Sequence, residues 1–313
     1  MRNPAVLVLA HDAADYLPIL KGQLEDETRV NMATDSAGAM EIYDGESIIL
    51  GEPDLVAEVL RSLPDVDWVQ SSWAGVTPLL NCGRRDFLLT GIKGLFGPQM
   101  AEYVFAYLLA REVRILERLD RQSAKVWWDE YSGSLNKKTL GVMGTGSIGR
   151  EIAKTGRHFG MEVQGFSRTG NPAEPFEEVY GGDQLAEFLR QLDYLVAVLP
   201  DTAATRHLLG EKEFAGMKNS CYLVNVGRGS LIDEAALARA LNANELAGAV
   251  LDVFDSEPLP RESSLWHAPN LVVTGHVAAI SRPRDIANIF VENYRKYCNG
   301  EPLNNLVDFD RGY

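Results

Sequence analysis

The 313-residue sequence predicts an α/β protein whose larger part is a doubly wound parallel sheet and whose smaller part is a second α/β layer. Three observations carry that expectation. Short, continuously apolar segments alternate with helical patterns along most of the chain, as parallel strands covered on both faces do. A glycine-rich turn, Gly144–Thr145–Gly146–Ser147–Ile148–Gly149, stands between one such segment and the helical pattern after it. The length also suits two domains of roughly 100–200 residues each.

In chain order, Ala5–Ala10, Ser47–Leu50 and Trp68–Gln70 read as strands, and Pro53–Ser62 as a helix closed by Pro64. Lys93–Gly94–Leu95–Phe96–Gly97–Pro98 reads as a hinge, followed by one long helix from Met100 to Leu119. A second series then begins: strand Thr139–Met143, helix Ser147–Phe159, strand Glu162–Phe166, helix Gln184–Gln191 and strand Tyr194–Leu199. It continues through strand Tyr222–Asn225, helix Asp233–Leu241 and strands Gly248–Asp252 and Leu271–Thr274. Helices of this length between strands imply right-handed crossovers in one parallel sheet. The last helical run, Pro283–Cys298, follows the final strand and can return to the first domain.

Composition narrows the function classes. Apolar residues are 46% and charged residues 24% of the chain, so disorder is not expected. The net charge of −14 repels phosphate backbones and acidic bilayers, which argues against nucleic-acid or membrane partners. Three cysteines, Cys82, Cys221 and Cys298, match neither a disulfide framework nor a metal-ligand spacing, so no metal is expected. The apolar run after Arg2 is interrupted by His11 and Asp12 before a signal core can form, and no stretch approaches the ~18 apolar residues of a membrane span. A cytoplasmic protein is expected.

The Gly144–Gly149 turn fits a dinucleotide's pyrophosphate. Its first glycine permits the tight turn, the second lets backbone approach phosphate, and the third lets helix pack on strand. The next strand ends Phe166–Ser167–Arg168–Thr169, where an NAD-selective site would carry a carboxylate. Arg168 instead suits a 2′-phosphate, with Ser167 and Thr169 as further donors, so NADP is favoured and NAD remains possible.

Three later segments each put one chemically useful residue just past a strand: Val224–Gly229 with Arg228, Leu251–Pro258 with Glu257, and Thr274–Ala279 with His276. A cation, a carboxylate and an imidazole are the minimum set for reducing a 2-oxo acid. In this order, GTGSIG, VNVGRGSLIDE, LDVFDSEPLP and TGHVAA, the chain resembles the D-2-hydroxyacid dehydrogenase family from about residue 65 onward. Within it the chain looks most like the glyoxylate/hydroxypyruvate reductase A type, on the SRT strand ending, the segment Gly275–Pro283 and the tail Asp310–Tyr313.

The resemblance implies a Rossmann domain at residues 100–283 and a discontinuous, flavodoxin-like substrate domain at 1–99 and 284–313. It also implies a homodimer built around the helix near Met100. Leu199, Pro200, Thr205, Val226, Gly227, Asp252 and Ala278 are then expected along the cofactor. Arg228 would polarise the substrate carbonyl, His276 would donate the proton, and Glu257 would orient His276 and favour its charged form. Trp73–Ala74–Gly75–Val76 resembles the family's loop of backbone amides for the substrate carboxylate, and Arg282 is a further candidate there. Thr77 stands where many members have an acidic residue, which weakens side-chain inferences at that loop. Trp127, Trp128 and Trp266 read as structural. Alternatives are a dinucleotide-sensing, corepressor-like protein, a 3-phosphoglycerate or formate dehydrogenase, and a methyltransferase, though the last leaves Arg228, Glu257 and His276 unexplained.

Overall fold

Among residues 3 to 312, which the computed structural model describes, every ladder between strands is parallel. The chain forms two units: a small one running to Leu95 and resuming at Ser281, and a large one from Phe96 to Ile280. The crossings lie a few residues ahead of the expected boundaries at 99/100 and 283/284.

The small unit contains β1 (Val6–Leu9), α1 (Ala13–Lys21), β2 (Val30–Ala33), α2 (Ser36–Ile42), β3 (Ile48–Gly51), α3 (Pro53–Val59), β4 (Trp68–Ser71), α4 (Thr77–Leu80) and β5 (Leu88–Thr90). Its sheet runs β2-β1-β3-β4-β5. Alternate residues Leu7, Leu9, Ile49, Val69 and Leu89 enter one core with Val56 and Leu60. On β4, Trp68 stacks at 5.3 Å on Phe290 of the chain's last helix, which the large unit precedes.

The large unit contains α5 (Gly97–Glu112), α6 (Ile115–Ser123), β6 (Thr139–Met143), α7 (Ser147–His158), β7 (Glu162–Phe166), β8 (Glu178–Tyr180), α8 (Leu185–Arg190), β9 (Tyr194–Ala197), α9 (Glu211–Ala215), β10 (Tyr222–Asn225), α10 (Glu234–Asn242), β11 (Gly248–Leu251) and β12 (Leu271–Val273). The strand order is β12-β11-β10-β9-β6-β7-β8, so the order reverses between β6 and β9, where open α/β sheets bind ligands. Both faces are buried: Leu195, Leu223 and Leu251 enter one core, while Val142, Val196, Val224 and Val250 enter the other. The chain then forms α11 (Pro283–Asn299) in the small unit. Pro283 opens it, and Gly300, at φ 70°, ends it in the left-handed conformation that glycine adopts without steric cost.

The structure corrects several expectations. The single helix Met100–Leu119 is two helices, broken at Arg114 with φ 55°. The break is held by Arg118, whose Nε caps the Val113 carbonyl at 2.7 Å. Gly97 and Pro98, the end of the expected hinge segment Lys93–Pro98, form the first turn of α5, and the crossing between the two units at Leu95–Phe96 falls inside that segment. β2, β5 and β8, and the helices α1, α2, α4 and α9, were not anticipated. Trp127 is 92% exposed and therefore packs in no core, whereas Trp128 lies beneath Arg114 at 4.2 Å. No helix among the described residues is long and apolar enough to cross a membrane.

Candidate active site

The turn after β6 has the shape its glycines demand. Gly144 has φ 113°, a region L side chains rarely adopt. A Cβ on Gly149 would lie 1.8 Å from the Gly144 carbonyl oxygen, so only glycine lets α7 start this close to the strand. Around Gly146 there is open space, and no side chain caps the N-terminus of α7. The amides of Ser147 and Ile148 are thus available to an anion, aided by the positive end of a 12-residue helix. These features fit a dinucleotide's pyrophosphate.

Beyond β7, Ser167 Oγ accepts the Gly170 amide at 3.1 Å and shapes the turn. Arg168 and Thr169 are exposed beside it, and no ion pair among the described residues involves Arg168. After β9, Thr205 Oγ1 donates to the Pro200 carbonyl at 2.7 Å and fixes the turn that follows Leu199. Val226 is buried, and a Cβ on Gly227 would meet Leu199 O at 3.0 Å.

Arg228 follows β10 on a turn built by Asn225. The fully buried Asn225 accepts the Gly227 amide at 3.1 Å and donates to the Arg228 carbonyl at 2.9 Å. Arg228 Nη1 donates to the Gly227 carbonyl at 2.6 Å. Burial pushes the guanidinium below arginine's ordinary value, with Glu257 and then Asp201 pulling the other way. It stays a cation, held where a carbonyl oxygen or carboxylate would be a strong partner.

His276 and Glu257 meet beyond β12 and β11. His276 Nδ1 lies 2.8 Å from Glu257 Oε2, and Glu257 Oε1 accepts the Phe254 amide at 2.9 Å. Both carboxylate oxygens are thereby occupied, the ring is fixed, and Nε2 is turned away from Glu257. His276 has φ 55°, a conformation sustained by its amide's 2.7 Å bond to the Asp252 carbonyl. A cavity of about 480 Å³ beside the pair is lined by Phe254, Glu257, Pro258, Leu259, Trp266, Val273, Thr274, Gly275 and His276. Trp266, expected to be structural, is half-exposed in its wall, its Nε1 donating to the Pro260 carbonyl at 2.9 Å.

Asp252, expected along the cofactor, organises the segment after β12. Its buried carboxylate accepts the Thr274 hydroxyl at 2.6 Å, the Val277 amide at 2.9 Å and the Ala278 amide at 2.9 Å. Tyr103 of α5 extends this network to Thr274 at 2.6 Å. Sequence reasoning missed Asn225, Thr274 and Tyr103; the Asn three residues before Arg228 was the one available signal, since Asn readily bonds to nearby backbone.

In the small unit, Trp73–Val76 follows β4, with the Trp73 amide bonded to Ser71 Oγ at 3.1 Å. Trp73 and Gly75's neighbour Ala74 are exposed, while Val76 is buried and precedes the short helix that Thr77 begins. Arg282 is exposed at the start of α11.

Comparison with known proteins agrees with this architecture. A family model described as "D-isomer specific 2-hydroxyacid dehydrogenase, NAD binding domain" matches residues 105–278. Glyoxylate/hydroxypyruvate reductase A of Klebsiella pneumoniae (strain 342) is 33% identical over 217 residues, covering 69% of this chain and 70% of the relative. The crystal structure of a D-isomer specific 2-hydroxyacid dehydrogenase family protein from Aeromonas salmonicida superposes with a TM-score of 0.93 at 41% identity, covering 98% of this chain and 100% of that one. An NADPH-dependent glyoxylate/hydroxypyruvate reductase from Sinorhizobium meliloti, solved with NADP and sulfate, gives 0.88 at 29% identity, covering 99% and 100%.

Proposed function

This chain belongs to the D-isomer specific 2-hydroxyacid dehydrogenase family and is an oxidoreductase, and from that premise we propose that it reduces a small 2-oxo acid to the D-2-hydroxy acid with NADPH. The observation that carries the proposal is the fixed His276–Glu257 pair, with Arg228 on the same carboxyl edge of the large unit's sheet. The reduced dinucleotide, when bound, supplies a hydride to the carbonyl carbon. The carbonyl oxygen then gathers negative charge and needs both a cation and a proton. Arg228 supplies the cation, and His276 Nε2 delivers the proton to that oxygen. Glu257 holds the ring through Nδ1. The amides of Trp73–Val76 are read as donors to the substrate carboxylate, with Arg282 as a further contact. Arg168, Ser167 and Thr169 are read as the contacts for the 2′-phosphate of NADP.

A homodimer is part of the same proposal. Ile115, Leu116 and Leu119 of α6 are exposed, as are Val126, Trp127 and Tyr131 just after it. An apolar surface of this kind is suited to being covered by a second copy.

Initial rates with glyoxylate, hydroxypyruvate and larger 2-oxo acids, each with NADPH and NADH, test the proposal. Turnover of at least one acid with NADPH supports it. Tight NADPH binding without turnover of any would favour a dinucleotide-sensing role instead.

A further inference from the structure

Tyr103, Thr274 and Asp252 form a hydrogen-bonded chain within the large unit that the proposed chemistry leaves without a task. Thr274 closes the ladder after β12, its amide donating to the Leu251 carbonyl at 3.0 Å. Its hydroxyl lies 2.6 Å from Asp252 Oδ1 and 2.6 Å from the Tyr103 hydroxyl. A carboxylate only accepts, so the single hydroxyl hydrogen of Thr274 goes to Asp252 and Tyr103 donates to Thr274. Burial raises the Tyr103 phenol above its ordinary value, which keeps it a donor. The chain therefore has one direction, from Tyr103 through Thr274 to Asp252.

What this chain holds is the backbone of His276. Gly275, His276 and Val277 are all exposed, so apolar packing contributes little to their placement. His276 also stands at φ 55°, where residues with side chains are seldom found unless neighbouring groups hold them there. Asp252 supplies that hold: its carbonyl accepts the His276 amide at 2.7 Å, Oδ1 the Val277 amide at 2.9 Å and Oδ2 the Ala278 amide at 2.9 Å. Three consecutive amides hang on one residue, and the orientation of its carboxylate decides where they lie. Thr274 sets that orientation, and Tyr103 sets Thr274. Tyr103 is a firm reference point, because Ala101, Val104, Phe105 and Leu108 of the same helix are buried in one core with Ile152 and Ala153 of α7.

Resting on the 2-oxo acid reduction proposed above, we infer that Tyr103 and Thr274 are positioning residues for His276, fixing through Asp252 the backbone from which the imidazole delivers its proton. The test uses steady-state kinetics with NADPH and the fastest 2-oxo acid of the panel above, in ordinary and in heavy water, for the wild type, Thr274→Val, Thr274→Ser, Tyr103→Phe and His276→Ala. In Thr274→Val, which keeps the shape and removes the hydroxyl, kcat should fall about tenfold while KM for either substrate changes by less than roughly twofold. Thr274→Ser should restore kcat to within about twofold of wild type, and Tyr103→Phe should lose less than Thr274→Val, since Thr274 still reaches Asp252. The solvent deuterium isotope effect on kcat should rise in Thr274→Val and Tyr103→Phe, because proton delivery is the step that slows; a merely structural role would leave it at the wild-type value. Should Thr274→Val fail to fold by circular dichroism, Tyr103→Phe decides on the same readouts. An unchanged kcat, or a kcat loss without a rise in the isotope effect, overturns the inference while leaving the reductase reading intact. Unimpaired turnover in His276→Ala, or a wild type that reduces none of the acids, overturns both.

Discussion

His276 Nδ1 and Glu257 Oε2 are 2.8 Å apart, and the other Glu257 oxygen is tied to the Phe254 amide. The imidazole is therefore held by a carboxylate that is itself held by backbone. Replacing His276 with Ala should lower kcat by about 10²–10⁴-fold while NADPH still binds. Turnover numbers with glyoxylate, paired with fluorescence titration of NADPH, check this, and unimpaired turnover would remove His276 from the chemistry.

Gly229 packs against the Phe254 backbone that fixes Glu257. A Cβ there would lie 1.8 Å from the Phe254 carbonyl carbon, so Gly229→Ala must displace the backbone whose amide fixes Glu257. The expected result is a loss of about 1–3 kcal/mol in stability and a kcat reduced more than KM is changed. Denaturant melts and steady-state kinetics measure the two; an unaltered midpoint would mean that the turn yields freely.

Arg168 should decide cofactor choice. Losing a charge-assisted phosphate contact costs ~1.5–3 kcal/mol, so Arg168→Ala should weaken NADPH roughly tenfold to a hundredfold and leave NADH nearly unchanged. Equal losses for both cofactors would exclude it as the 2′-phosphate ligand.

His11 predicts a pH dependence of stability. Its hydrogen bond to Glu52, then the Glu52 charge, raise it above the ordinary histidine value of 6.5. A folded-state value above the unfolded one stabilises the protein fully below the unfolded value, and the gain is lost as pH rises through the folded value. The melting temperature of wild type should therefore exceed that of His11→Asn most at pH 5.5, with the gap narrowing by pH 8.5. Because the ring is largely exposed, solvent screening keeps the gap small. A gap that widens with pH would contradict the pairing.

Leu116 and Leu119 expose apolar side chains on α6. Aspartate at both positions should shift the sedimentation coefficient from that of a dimer to that of a monomer, since buried unpaired charges oppose association. An unchanged coefficient would place the dimer interface elsewhere or exclude a dimer.

Much of the large unit was legible in the sequence because its strands are buried on both faces and flanked by glycine or helix-start signals. The Thr139–Met143, Glu162–Phe166 and Tyr222–Asn225 segments coincide with β6, β7 and β10. Strand β2 escaped because Val30, Asn31 and Met32 are not buried, leaving an edge strand without a continuous apolar run. The break at Arg114 escaped because apolar periodicity does not register one side chain capping a carbonyl.

By itself, the sequence determined where the glycine turn stands and which residues follow the strand ends, since backbone sterics and local burial leave marks within a few residues. Tertiary structure alone decided the partnerships. Nothing local shows that Glu257 reaches His276, that Asp252 gathers Thr274, Val277 and Ala278, or that Glu52 is buried to hold His11. Those contacts join residues that follow different strands of a sheet, and neighbours there are set by strand order and register, which the apolar pattern of one strand does not encode.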